Sequence, residues 1–244
     1  MTVTRRDQTI VWSLAAVLGL IVVGHVSAEP PPAPQPPAAA PIPATATGPD
    51  LPQLMAAFAR MSGLEASFVE EKRLGLLARP LESRGRLYFA RPGLLLRRVE
   101  SPQRSEVVIT PKELKLRDAD GEQVLDLRSR PDIGPFVESL SWLFLGDQKK
   151  LSAVYKLEFV PGHDKTPWQL TLVPKADPLV HIVTHIRMLG SGLAVSEIQI
   201  REKSGDETLT HIIEANPTRQ FSREELLALF GVQPQAAAAT GGKP

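Results

Sequence analysis

Residues 66–101 read ASFVEEKRLGLLARPLESRGRLYFARPGLLLRRVES and decide the fold of this 244-residue chain. Apolar and polar side chains alternate around two turns, at residues 79–80 and 91–93, which is typical of three consecutive β-strands. The middle strand opens with Gly85 and ends in the phrase Arg91-Pro92-Gly93. Because strands joined by tight turns pair antiparallel, the stretch predicts a β-meander.

Strand patterns and turn signals recur as far as residue 214 and predict about eleven strands in one antiparallel sheet. Helical periodicity marks residues 51–62, 131–147 and 222–230, and the last of these begins with a Ser-x-x-Glu capping box. A sheet of that length curls, and its apolar concave face needs a cover. The predicted fold class is mainly β with α (α+β): a curled antiparallel half-barrel covered by a helical lid.

The first 28 residues have the pattern of a secretory signal peptide. A polar start with two arginines precedes an apolar run at residues 10–23 and the small-x-small end Val26-Ser27-Ala28. An uncut membrane anchor is the alternative, but the run is short for a span, which needs about 20 apolar residues. We therefore expect cleavage after Ala28 and a periplasmic location.

Two segments of biased composition flank the predicted domain. Residues 29–50 are rich in proline and alanine, and residues 233–244 read QPQAAAATGGKP. Such sequences cannot bury a core, so we expect a disordered linker and a disordered tail. The folded domain is predicted to span residues 51–232.

Composition excludes several classes of protein. The chain has no cysteine, so a disulfide framework, a thiolate catalyst and the lipid-bearing cysteine of a lipoprotein are all ruled out. Removal of residues 1–28 leaves 26 basic and 26 acidic residues. A chain of that balance is a poor candidate for binding nucleic acid, which demands a basic face.

The pattern contains no catalytic constellation. Glu70 and Glu71 are adjacent on a predicted strand and point to opposite faces, so they cannot act together on one substrate. His181 and His185 are predicted to share one face of a strand, but a metal site needs a third ligand. We therefore predict a protein that is not an enzyme and has no metal site and no cofactor.

Basic residues crowd the opening meander. We interpret them as solvated strand edges and outward faces, and the alternative is a basic rim that meets lipid headgroups or an acidic partner. The residues are Arg84, Arg86, Arg91, Arg97, Arg98 and Arg104.

The layout resembles the LolA-like family of periplasmic outer-membrane lipoprotein carrier proteins over nearly the whole predicted domain. The resemblance rests on the phrase Phe68-x-x-x-Lys72, on residues 85–93 and on the segment WQLTLVP at residues 168–174. Leu94-Leu95-Leu96 leads into two arginines where the best-known carriers tend to have an aromatic residue. The chain is thus similar to a divergent branch of the family.

The resemblance implies roles for particular residues. It places acyl chains inside the half-barrel and assigns Arg91 of the R-P turn as a latch that holds the lid shut. The lipid-binding cavity would be lined by Phe68, Leu87, Phe89, Leu95, Leu170 and Leu172. The lid would present Phe136, Leu140, Trp142, Leu143 and Phe144.

The resemblance also implies a function. The protein would shield the acyl chains of a lipoprotein or another lipid and move it from the inner to the outer membrane. Its partners would be this cargo, an inner-membrane exporter and an outer-membrane acceptor, and we expect a monomer. The alternative is a lipid- or protein-sensing interaction module of the same fold in envelope regulation.

Overall fold

The computed structural model describes residues 48–130, 134–163 and 165–232. The predicted signal peptide, nearly all of the predicted linker and the predicted tail lie outside the described residues. The domain boundaries at 51 and 232 and the assignments of the flanking segments remain predictions.

One antiparallel sheet of eleven strands forms the body of the protein, in the order β6-β5-β4-β3-β2-β1-β11-β10-β9-β8-β7. The predicted meander and its strand count are therefore confirmed. The strands are β1 (Gly63–Arg73), β2 (Leu81–Ala90), β3 (Leu94–Ser101), β4 (Ser105–Ile109), β5 (Glu113–Asp118), β6 (Gly121–Asp126), β7 (Tyr155–Val160), β8 (Trp168–Pro174), β9 (Val183–Ser191), β10 (Ala194–Glu202) and β11 (Glu207–Asn216).

In the described part of the chain, four α-helices accompany the sheet: α1 (Leu51–Arg60), α2 (Gly134–Leu145), α3 (Gln148–Val154) and α4 (Arg223–Phe230). Helix α1 begins at an Asp50 capping box, in which the Asp50 carboxylate accepts from the Gln53 backbone N–H at 2.8 Å. Helix α2 ends at Gly146, and Asp147 caps the short helix α3 directly after it. The single helix predicted over residues 131–147 is thus followed by a second one that the periodicity did not indicate.

The sheet curls until strands far apart in its order face each other. Val107 of β4 and Leu172 of β8 line the same cavity, although seven strand positions separate their strands. In a flat sheet that separation would be about 34 Å at ~4.8 Å per strand. The half-barrel predicted from strand number is therefore confirmed, with α1 to α3 packed against its concave face.

Both faces of strands β2–β4 are buried, each against a different layer. Leu95 faces the concave side and joins the main core under α1 and α2. Leu94 and Leu96, one residue away on each side, join a second core on the convex side, where Phe230 of α4 is 1% exposed. The run of three leucines in β3 is explained by this double burial, because a strand covered on both faces does not alternate with polar residues.

Helix α4 is fixed at both ends. Ser222 and Glu225 form the capping box that the sequence predicted, with the Ser222 hydroxyl accepting from the Glu225 N–H at 3.2 Å. Gly231 ends the helix in the left-handed conformation. Arg219 donates to Glu65 on β1 at 3.0 Å, which ties the segment before the helix to the middle of the sheet.

Gly146 allows α1 and α2 to approach closely. Its φ is +69°, and a Cβ there would lie 2.1 Å from the Met55 carbonyl oxygen and 2.8 Å from the Ala59 nitrogen. These atoms are backbone atoms of α1 and cannot move aside without shifting the helix.

We predict that Gly146→Ala lowers the free energy of unfolding by more than about 3 kcal/mol, because it adds a backbone clash to the strain of a positive φ. Gly192→Ala is the matched control, since Gly192 has a φ of +56° but nothing within 4 Å of its Cβ position. That change should cost only about 1 kcal/mol. Urea denaturation of both variants measures the difference, and equal losses would show that the helix contact is unimportant.

Candidate functional site

An apolar cavity of about 120 Å³ lies between the concave face of the sheet and helix α2. Its wall is almost entirely aliphatic or aromatic. The sheet contributes Phe68, Leu87, Leu95, Arg97, Val107, Ile109, Tyr155, Leu172, Ile186, Met188, Ile198, Ile200, Thr210 and Ile212, and α2 contributes Ser139, Leu140, Leu143 and Phe144.

The cavity wall contains four of the six residues predicted for it, namely Phe68, Leu87, Leu95 and Leu172. Within the described residues, the other two do not line it. The Phe89 side chain is fully buried beneath Phe144, with ring centroids 5.4 Å apart. Leu170 is also fully buried in the filled core, although it shares a face of β8 with Leu172. Core and cavity wall therefore alternate along a single strand.

Helix α2 presents three of the five predicted lid residues to the cavity: Leu140, Leu143 and Phe144. Trp142 points elsewhere and is half-buried, with the Lys150 ammonium 5.7 Å from its ring. The side chain of Phe136 lies outside the described residues. Two buried serines fix the helix to the sheet: Ser139 shares a hydrogen bond of 3.0 Å with the Tyr155 hydroxyl, and Ser141 donates to the Gly93 carbonyl at 3.1 Å.

Arg91 holds the end of α1. Its guanidinium donates to the carbonyl oxygens of Met61 at 2.8 Å and Phe58 at 3.2 Å, and also to that of Ala59. These groups lie at a helix C-terminus, where carbonyls lack intrahelical partners and a positive charge is favourable. The R-P turn thus contacts both covering helices, α1 through Arg91 and α2 through Gly93. The predicted latch contacts α1 rather than the helix named as the lid.

Arg97 interrupts the apolar wall and is paired with Glu70 behind it. The Arg97 guanidinium lies 2.7 Å from Glu70 and 4.9 Å from the centroid of the Phe68 ring. Glu70 also accepts from the Thr210 hydroxyl at 2.9 Å and the Ser83 hydroxyl at 3.4 Å. The side chains of Arg97 and Glu70 are only 16% and 7% exposed. The interpretation of Arg97 as a solvated arginine is therefore wrong, because its strand face points into the half-barrel.

Further polar groups are buried beyond this pair, at the end of the sheet away from α1. Lys72, Glu202 and Thr208 are at most 6% exposed. Burial lowers the pKa of Lys72 and raises the pKa of Glu202 to about 7, with Lys72 opposing the latter shift. Within the described residues, Glu202 Oε1 and Thr208 Oγ1 are buried without a hydrogen-bond partner.

The two histidines considered as metal ligands do not share a strand. His181 ends a 3₁₀ turn at Leu179–His181 and lies 2.8 Å from Asp177, whereas His185 is on β9. The strand predicted to carry both histidines begins only at Val183, because the turn takes up His181. The described part of the chain contains no group of three or more candidate metal ligands.

Residues 59–225 match the family of outer membrane lipoprotein carrier protein LolA. The chain belongs to the LolA family. This match covers more than half of the chain and includes all eleven strands and the lid helix. Members of the LolA family are carriers and binding proteins of the bacterial envelope rather than enzymes.

The solved structures that resemble this chain are distant in sequence. A LolA superfamily protein from Nitrosomonas europaea is 8% identical, with a TM-score of 0.40, over 70% of this chain and 94% of that one. A putative outer membrane lipoprotein-sorting protein domain from Vibrio parahaemolyticus is 10% identical, with a TM-score of 0.41, over 71% and 93%. The MucA/MucB complex of Pseudomonas aeruginosa gives 15% identity and a TM-score of 0.43 over 73% and 60%.

No curated protein sequence is significantly similar to this LolA-family chain. Among the helices of the described residues, none has the length and apolar character needed to cross a membrane.

We predict that Glu202 makes stability fall as the pH rises from about 4.5 to about 7. In that window the folded protein keeps a proton on Glu202 that the unfolded chain has lost, because the folded pKa is raised. Glu202→Gln should remove this contribution, so that it stabilises the protein more at pH 8 than at pH 4. Denaturant titrations at both pH values measure the change.

The control for the loss of one negative charge is Glu71→Gln, because Glu71 lies on β1 and faces away from the interior of the half-barrel. If Glu202→Gln and Glu71→Gln change stability equally at both pH values, burial of Glu202 has no energetic effect.

Proposed function

We propose that this protein is a periplasmic carrier that shields the acyl chains of a lipoprotein or another lipid and moves it from the inner to the outer membrane. The observation that carries the proposal is the aliphatic cavity between the curled sheet and α2. Membership of the LolA family supports it, and the signal-peptide pattern of residues 1–28 supports a periplasmic location.

The driving force for cargo binding would be burial of acyl chains, at about 0.8 kcal/mol per CH₂ group. The cavity is too small for this as it stands, since a cavity of about 150 Å³ holds a ligand only as large as benzene. Helix α2 would therefore move away from the sheet when cargo enters, and Leu140, Leu143 and Phe144 would pass from contacts with the sheet to contacts with the chain. Opening and closing would then control uptake and release.

An inner-membrane exporter and an outer-membrane acceptor would complete the path of the cargo. Both would have to recognise the cover, because in this proposal its helices move when cargo enters or leaves. The wall would act by apolar contact and not by a reactive group, which is consistent with a role without catalysis.

We expect the purified full-length protein to carry an acylated molecule that organic solvent extracts and mass spectrometry identifies. Ile198→Trp, which places a large side chain in the cavity wall, should reduce the bound amount at least tenfold by occupying the space. Ile213→Trp is the matched control, because Ile213 lies on the neighbouring strand β11 and its side chain is 60% exposed. Wild-type protein that yields no lipid and binds no hydrophobic probe would refute the carrier proposal, and a tight lipid-free protein complex would favour the interaction module.

We expect Arg91→Leu to slow cargo transfer between two membrane preparations while the fold stays intact. The change removes the donors that hold the C-terminal carbonyls of α1, each worth about 1.5–3 kcal/mol when the donor is charged. Hydrogen exchange of residues 51–61 should become faster. Arg60→Leu is the control, since Arg60 is exposed and lies on the last turn of α1, whose carbonyls Arg91 holds. A transfer rate unchanged by Arg91→Leu would remove Arg91 from the mechanism.

A further inference from the structure

The inner face of the half-barrel changes from apolar to polar in one direction along three neighbouring strands. On β1 the inward residues pass from Phe68 to Glu70 and Lys72, away from α1. On β11 the paired positions pass from Ile212 to Thr210 and Thr208. The adjacent β10 ends its apolar row with the buried Glu202. The inner face of the half-barrel is therefore apolar near the helices and polar at the opposite end, beyond the residues that line the cavity.

Arg97 is the charged side chain of the cavity wall, and it stands at this change. One face of its guanidinium lies on the Phe68 ring, and one Nη2 group donates to Glu70. Within the described residues, this bond to Glu70 uses one of the five N–H groups of the Arg97 guanidinium. The guanidinium is thus oriented by an aromatic face and a carboxylate, and it retains donors for a second anion.

Stability alone gives no reason to place an ion pair in this wall. Desolvation of two charges often costs as much as their attraction returns, and apolar replacements are commonly neutral or stabilising. An uncharged set of ester- or amide-linked acyl chains would gain nothing from a guanidinium beside them. A carboxylate at the end of an acyl chain would instead accept two parallel hydrogen bonds from the guanidinium, the bidentate geometry that arginine favours.

We propose that Arg97 binds the carboxylate of a single-chain amphiphile, a long-chain fatty acid anion, whose tail lies along the apolar wall towards α2. Glu70 acts as a positioning residue, since it holds the guanidinium in place and is itself held by Thr210 and Ser83. This inference rests on the proposed carrier function and specifies its cargo class. The tail would lie against Leu95, Leu140 and Ile212, which line the same cavity.

The test is calorimetric titration of the delipidated full-length protein at pH 8 with oleate and with oleyl alcohol, which share a chain and differ in charge. Wild-type protein should bind oleate at least tenfold more tightly than the alcohol. Arg97→Met should remove this preference, so that the affinities of the variant for oleate and for oleyl alcohol lie within about threefold of each other. The double variant Arg97→Met with Glu70→Gln should lose the preference for oleate in the same way. It serves as a second test in case the single variant folds poorly, because it leaves no buried carboxylate without its partner.

Arg98→Met is the matched control. Arg98 is the next residue of β3, faces the convex side, pairs with Glu106 at 2.6 Å and lies over the Tyr88 ring at 5.9 Å. Its loss should leave the preference for oleate intact.

The outcomes separate this inference from the carrier function. Equal binding of oleate and oleyl alcohol by wild-type protein, or a preference that survives Arg97→Met, would overturn the anion site while leaving a lipid carrier. Binding of neither would overturn both. Tighter binding of an oleoyl lysophosphatidate than of oleate, dependent on Arg97, would overturn the choice of a carboxylate.

Discussion

The apolar concave face of the sheet has to be kept from water, and this requirement organises the rest of the structure. Eleven strands in one antiparallel sheet curl enough for β4 and β8 to face one another, yet β6 and β7 remain at its two edges. Helices α1 to α3 cover the opening, and the space beneath α2 is not filled by side chains. A packed core leaves few voids larger than a water molecule, so an apolar cavity at this position has the character of a binding space.

The cover is fixed mainly by one turn of the sheet. Arg91 donates to the last carbonyls of α1, and the Gly93 carbonyl, two residues later, accepts from Ser141 of α2. Gly146 brings the two helices into backbone contact. A displacement of one helix therefore disturbs the contacts of the other with the same turn. If the cover opens as proposed, this shared turn would make the two helices move together.

The strand order and the curl were predictable from the sequence, because alternation and turn residues are local signals and the number of strands dictates the curl. Which apolar residues line the cavity and which fill the core was not predictable. Leu170 and Leu172 have the same pattern, and only the path of α2 above them decides which one lines the cavity. Arg97 and Arg98 are adjacent arginines, and the sequence gives no sign of which faces inward until the register of β3 is known. Helix α3 is two turns long and too short to show a period.

The polar end of the half-barrel gives the cavity a direction. Carboxylate, ammonium and hydroxyl groups of β1, β10 and β11 lie on the same face as the apolar wall, but they are confined to the strand ends away from α1. An acyl chain in the opposite orientation would put CH₂ groups against Glu70 and Lys72 and would displace their hydrogen-bond and charge partners. Since an unpaired buried charge costs several kcal/mol, about the gain from burying a few CH₂ groups, the wall would select one orientation for the proposed amphiphile. The apolar part of the wall would then supply affinity, and the charged pair would set the direction in which the molecule lies.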